Sequence, residues 1–300
     1  MTPQSKAYVQ HPPGYRLPDA TRVGRVRLAV SNLERAVAFY CEIIGLATLD
    51  PGVNPKFARL GAHGDERVLL ELEELPGVKP LGKQTRLGLY HTAFLLPNRE
   101  ALSSFVRHLA KRRVPFASSD HAVSEALYLT DPDGLAVEVY ADRPRSQWPI
   151  RNGEIQGGVE PLRFNELPVV ARDSWLGAPA GTTVGHVHFF VNDLREAAAF
   201  YHTGLGLDHA MWPLPSAMFL SAGGYHHHVG TNIWAAGSPV ASAEDARLLF
   251  WELVLPDVEE IERVAANMSA AGFPQTVSAA GDRAFTDPCG IAVSLVAAKV

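Results

Sequence analysis

The sequence predicts an α+β protein in which one strand–helix–strands unit is used four times, in two pairs. Three observations predict it. VGRVRLAVSNLERAVAFYCEIIGL, from Val23, recurs nearly residue by residue as VGHVHFFVNDLREAAAFYHTGLGL, from Val184. Two fainter copies, LYHTAFLLPNREALSSFVRHLAKRRVPF from Leu89 and LFWELVLPDVEEIERVAANMSAAGFP from Leu249, fill the intervals. The faint copies share a closing phrase, LTDPDGLAVEV from Leu129 and FTDPCGIAVSL from Phe285. Self-similarity of this kind marks supersecondary units that bury a core by packing on one another.

The elements follow in order. Residues 1–20 hold prolines and no apolar run, so they read as an arm and not a signal peptide. Each strong copy opens with alternating apolar positions, a strand signal, and continues with helical periodicity. In the first copy Ser31 and Glu34 read as a capping box, and Gly45 as the stop. Short strands then follow each copy: RVLLELEE from Arg67, LAVEVYA from Leu135, HHVGTNIW from His227 and IAVSLVA from Ile291. Residues 142–182 are rich in Pro and Gly and weakly periodic, and read as a linker. The boundaries expected are therefore an arm (1–20), a first domain (21–141), the linker (142–182) and a second domain (183–300).

Composition narrows the function. The chain has 300 residues, 47% of them hydrophobic and 20% charged, which suits a soluble globular protein. A net charge of −5 argues against nucleic acid and anionic membranes as partners, and no apolar run reaches the length of a membrane span. Two cysteines without paired spacing, Cys41 and Cys289, fit a reducing cytoplasm.

The chemistry is unevenly spread over the copies. Aligned on the turn after each first strand, one inward position carries Arg25, His91, His186 and Phe250. The closing strands align Glu138 with Ser294, and the third copy holds His226, His227 and His228 near its end. Two imidazoles and a carboxylate are a ligand set of non-haem Fe(II) oxygenases, and Mn(II) accepts it too. Only the second and third copies together supply it. A lone histidine in an apolar strand is more often a core residue, but His91 and His186 share one repeat position. A carboxylate facing inward at Glu138 is costly without a cation. His188 shares the face of His186, and the register favours His186. Arg25 with Glu71 or Glu73 reads as a structural ion pair, and His11, His63, His108, His202 and His209 as surface residues. Strand alternation would send His226 and His228 to one face and His227 to the other.

The repeat resembles the βαβββ module of the vicinal oxygen chelate superfamily, which includes glyoxalase I, fosfomycin-resistance proteins and the type I extradiol dioxygenases. The stretch His121, AVSEA, Leu127, Tyr128, LT, Asp131, Pro132, Asp133, Gly134, LAV, Glu138 is similar to the extradiol signature. Ser119 stands two before the histidine, where the signature usually has Gly or a similar residue. The resemblance implies two domains, with each pair of modules curling mixed sheets around a cavity. It implies His91, Glu138 and His186 as metal ligands, His121 and Tyr128 as partners of a substrate oxygen, and His227 as an acid/base. The implied activity is Fe(II)-dependent extradiol cleavage of catechol or a substituted catechol, with O2 as co-substrate. In the better-known extradiol enzymes the working pair of modules is the C-terminal one. Here the fourth module is blank, so the second would join the third, within one chain or across a homo-oligomer. The alternatives are a binding protein that sequesters an aromatic or antibiotic, which needs no such triad, and a glyoxalase-like isomerase, which usually wants a second carboxylate ligand.

Overall fold

The computed structural model describes residues 10–50, 54–82, 85–151, 154–171, 174–210, 214–278 and 280–298. Their strands form two mixed eight-stranded sheets, neither closed into a barrel, and a short hairpin, Ile150–Arg151 with Glu154–Ile155. One sheet runs Thr276–Val277, Arg283–Thr286, Ala292–Ala297, Arg247–Leu255, Arg22–Val30, Val68–Glu74, Phe57–Gly61, Ala47–Thr48. The other runs Asp208–His209, Ala217–Ser221, Val229–Asn232, Thr183–Phe190, Gly88–Leu95, Ala136–Asp142, Ser124–Thr130, Ala117–Asp120. Each sheet is thus made from one strong and one faint copy. The first and fourth copies join through antiparallel Arg22–Val30 and Arg247–Leu255. The second and third join through antiparallel Gly88–Leu95 and Thr183–Phe190, within a single chain. Both sheets therefore cross the boundary drawn by residues 142–182.

Each unit is a strand, a helix that returns the chain, and strands that add beside the first. The helix Arg99–Arg112 shows the local logic. The Asn98 side chain accepts from the Ala101 N–H, capping the free donors of the first turn. Leu102, Phe105 and Leu109 fall on one face and are buried in the main core. Arg113, at φ 55°, ends the helix in the left-handed conformation. In the strong copies the short helices Leu33–Phe39 and Leu194–Ala198 widen into π-helical turns, Tyr40–Ile44 and Ala199–Gly204.

The expected capping box at Ser31 is not formed. Asn32 is the N-cap and its side chain accepts from Arg35, while the Ser31 hydroxyl donates to Asp133, 2.6 Å away. Both residue types suit a cap, and a tertiary carboxylate drew Ser31 away. The stop at Gly45 is present, at φ 87°. The closing phrases fold identically. Asp131 Oδ1 accepts from the N–H groups of Asp133 and Leu135, and Asp287 Oδ1 from those of Cys289 and Ile291. Three of the histidines expected at the surface are half-buried: His108 bonds to the Glu42 carbonyl, His202 bonds to the Leu207 carbonyl, and His209 packs on His202. Among the described residues, no helix is long and apolar enough to cross a membrane.

Candidate metal centre

Three neighbouring strands converge on one point. Gly88–Leu95 lies between Ala136–Asp142, parallel to it, and Thr183–Phe190, antiparallel. Ala93 pairs with Glu138 on one side and with His186 on the other, so these three share a rung. His91, two residues before Ala93, faces the same way. The result brings His91 Nε2 3.2 Å from His186 Nε2, and Glu138 Oε2 3.0 Å and 3.1 Å from the two nitrogens. All three side chains are buried, His91 at 4%, Glu138 at 2% and His186 at 2% relative exposure. A bulge between Val184 and His186 interrupts the ladder and re-aims the side chain there. Gly185 fits at this bulge because a Cβ would lie 1.9 Å from the Tyr140 hydroxyl.

Protonation suits a cation. Burial alone would raise the Glu138 carboxyl, but His186 and His91 outweigh it and hold it well below the usual carboxylate range. Burial pushes His186 down to about 4, against the pull of Glu138. An ionised carboxylate and imidazoles with free lone pairs are the forms that bind metal. The spacing fits as well. Cis positions of an octahedron with bonds of about 2.1 Å lie about 3.0 Å apart, and tetrahedral corners about 3.4 Å. His91 and His186 each have a buried Nδ1 without a hydrogen-bond partner, so packing orients the rings. Tyr90 lies against His91 and Tyr140 against His186, at 4.7 and 4.9 Å between centroids.

The point lies in a cavity of about 400 Å³. His121 and Tyr128 line it together, with Nε2 2.7 Å from the phenol oxygen. The other ring nitrogen, Nδ1, donates to the Gly158 carbonyl at 2.7 Å. With Nδ1 as the donor on a neutral ring, Nε2 accepts from Tyr128. Burial, then Glu138, raises the Tyr128 hydroxyl well above its ordinary value, so it stays a donor. Gly158 belongs to residues 142–182, which the sequence presents as a spacer; Gly157, Gly158 and Val159 form part of the cavity wall. Val123, Leu214, Phe219 and Trp234 supply apolar surface.

His227 lines the same cavity, its ring 4.1 Å from that of His186. The histidine run is not on a strand: the strand there is Val229–Asn232, and residues 226–228 form a bend before it. Alternation therefore does not govern the run. His226 turns instead to Asp142, with Nε2 2.9 Å from Oδ1, and His228 lines a different cavity, its Nδ1 accepting from the Ala222 N–H at 3.2 Å. His188 is in the cavity but engaged elsewhere. The Asn232 carbonyl oxygen accepts from the Trp234 N–H, which turns its amide nitrogen toward His188 Nε2 at 3.0 Å. That lone pair is taken. Asn232 and Trp234 carried no recognisable signal in GTNIW.

Among the described residues, the other sheet has no such donor set. Arg25 occupies its cavity, contacting Glu71 at 2.8 Å and Glu252 at 2.6 Å. Arg27 holds the second oxygen of fully buried Glu71 at 2.7 Å, and Phe250 lies under both guanidinium groups. A fixed cation thus balances the carboxylates there. Among the described residues, His91, Glu138 and His186 form the one cluster with metal-binding geometry.

Comparison with known proteins agrees with this architecture. The family model for the Glyoxalase/Bleomycin resistance protein/Dioxygenase superfamily matches twice, over residues 22–139 and 183–295. A protein of Bacillus subtilis (strain 168) named catechol-2,3-dioxygenase is 42% identical over 257 residues, covering 84% of this chain and 89% of the relative. Among solved structures, a putative dioxygenase from Bacillus subtilis superposes with a TM-score of 0.64 at 12% identity, over 94% of this chain and 86% of that one. Glyoxalase I from Zea mays superposes at 0.56 with 18% identity, over 93% and 92%; at these identities both speak for the fold alone. With two matched copies and a relative this similar over most of both lengths, the chain belongs to the Glyoxalase/Bleomycin resistance protein/Dioxygenase superfamily and is an enzyme of it.

Proposed function

We propose that the chain is an Fe(II)-dependent extradiol dioxygenase that opens the ring of catechol, or of a substituted catechol, with O2. The observation that carries this reading is the convergence of His91 Nε2, His186 Nε2 and Glu138 Oε2 within 3.2 Å of one another at the base of an apolar cavity. Similarity to a relative named for this activity supports it.

His91, Glu138 and His186 would hold the iron on one face and leave the opposite positions open. Bound there, iron would supply the site at which the diol and O2 meet and exchange electrons. The chain's own groups do the rest. Apolar side chains such as Val123 and Phe219 exclude water and hold the ring flat. Tyr128, whose hydroxyl hydrogen is held by His121 Nε2 at 2.7 Å, offers its oxygen as the acceptor for the hydroxyl of one diol oxygen. His227, on the cavity wall beside His186, takes and returns the proton of the other oxygen.

Anaerobic loading with Fe(II), followed by catechol and air, tests the reading. Oxygen uptake with a yellow ring-fission product is expected. Binding of catechol without oxygen uptake would point to a sequestering protein instead.

A further inference from the structure

We propose that Asp142 and His226 are positioning residues, which fix the tautomer of His227 and thereby the nitrogen it presents to the substrate. The proposal rests on the dioxygenase reading only in what it says about turnover.

A continuous chain of hydrogen bonds carries it. Asp142 ends the strand that also bears Glu138, and its Oδ1 lies 2.9 Å from His226 Nε2. A carboxylate has no proton to give, so His226 Nε2 donates. On a neutral ring, His226 Nδ1 is then left with its lone pair. That atom is 2.7 Å from His227 Nδ1, which must supply the hydrogen. His227 Nε2 consequently keeps a lone pair, and among the described residues it makes no hydrogen bond while its ring lines the cavity. With His226 neutral, reversing either link would set its Nε2 lone pair against the Asp142 carboxylate.

The chain is held from behind. The Tyr225 hydroxyl donates to the same Asp142 oxygen at 3.3 Å and receives from the Tyr140 hydroxyl at 2.7 Å. His226 is fully buried, its ring 4.1 Å from Tyr225 and 5.4 Å from Trp148. It can rotate only by breaking both bonds. A carboxylate that holds one imidazole in a chosen tautomer is a known device for directing a base; here a second imidazole extends its reach.

Two measurements test this on the full chain. The first reads the histidine nitrogens by NMR of the metal-free protein labelled with 15N-histidine. His227 should be protonated on Nδ1 and bare on Nε2, and Asp142→Ala should convert it to a mixture. The second is kinetic, on the iron-loaded enzyme. Asp142→Ala should lower kcat about 10–100-fold with KM within about 2-fold and iron retained. Asp142→Asn, which keeps the shape and an acceptor oxygen, should lie between it and the unaltered chain. Because Asp142 acts through His227, Asp142→Ala combined with His227→Ala should be no slower than His227→Ala alone. A proton found on His227 Nε2 in the unaltered chain, or two losses that multiply, would overturn the proposal. A chain that shows the expected tautomer but cleaves no catechol would support the positioning and overturn only the dioxygenase reading.

Discussion

The Tyr40 hydroxyl donates to Asp131 at 3.2 Å, and Tyr201 does the same to Asp287 at 2.9 Å. Each tyrosine sits in the π-helical turn of a strong copy, and each aspartate opens the closing phrase of the faint copy that follows. These bonds link the first copy to the second and the third to the fourth. The sheets link the first to the fourth and the second to the third. Two different pairings of the copies, one through these bonds and one through the sheets, therefore tie the four units together.

Burial raises both aspartates to about 6, against the hydrogen bonds that favour the charged form. A carboxyl whose folded pKa exceeds its unfolded value of about 3.9 favours the protonated native state. Its contribution is most favourable at low pH and is lost as pH rises from about 4 to about 6. Relative to an Asp131→Asn, Asp287→Asn double variant, the metal-free chain should gain about 1 kcal/mol per group between pH 7 and pH 5. Denaturant midpoints at the two pH values measure this. A gap that stays constant, or moves the other way, contradicts the assignment.

Arg25→Met should destabilise the fold by about 1–3 kcal/mol, because it strips a cation from the buried Glu71 and the mostly buried Glu252. Arg27 still holds Glu71, which limits the loss. Iron content and kcat of the folded fraction should not change. A variant that loses its iron would mean that the metal lies on this sheet.

Tyr128→Phe should be mild, about 10-fold in kcat, since it removes one hydrogen bond. His121→Ala and His227→Ala should retain iron and lose about 10²–10⁴-fold in rate if each handles a proton. Iron must be measured beside the rate, since groups behind a metal site can weaken binding about 10–100-fold. Rates near that of the unaltered chain at bound iron would remove either residue from proton transfer.

Much of this was legible in the sequence because duplication made it so. The position shared by His91 and His186, and the lone carboxylate at Glu138, stood out only against copies that carry Arg25, Phe250 and Ser294 instead. What could not be read depends on backbone or on distant partners. Gly158 acts through its carbonyl, which no residue type announces. Ser31 and Asn32 are equally good caps, and only Asp133, far along the chain, decides between them. Asp142 looks like the polar end of a strand, and its partner His226 lies 84 residues away. The histidine run read as a strand because its neighbours VGTN are one; two glycines with positive φ, Gly223 and Gly224, precede it and bend the chain first.

The central claim is that one metal binds where the second and third copies meet. The most direct measurement is iron per chain, determined beside catechol-dependent oxygen uptake, for the unaltered chain and for Glu138→Gln, His91→Ala and His186→Ala. One equivalent is expected in the unaltered chain, with iron and oxygen uptake lost together in each variant although the histidines come from opposite halves of the sequence. Two equivalents per chain, or near-normal iron and oxygen uptake in any one variant, would contradict it.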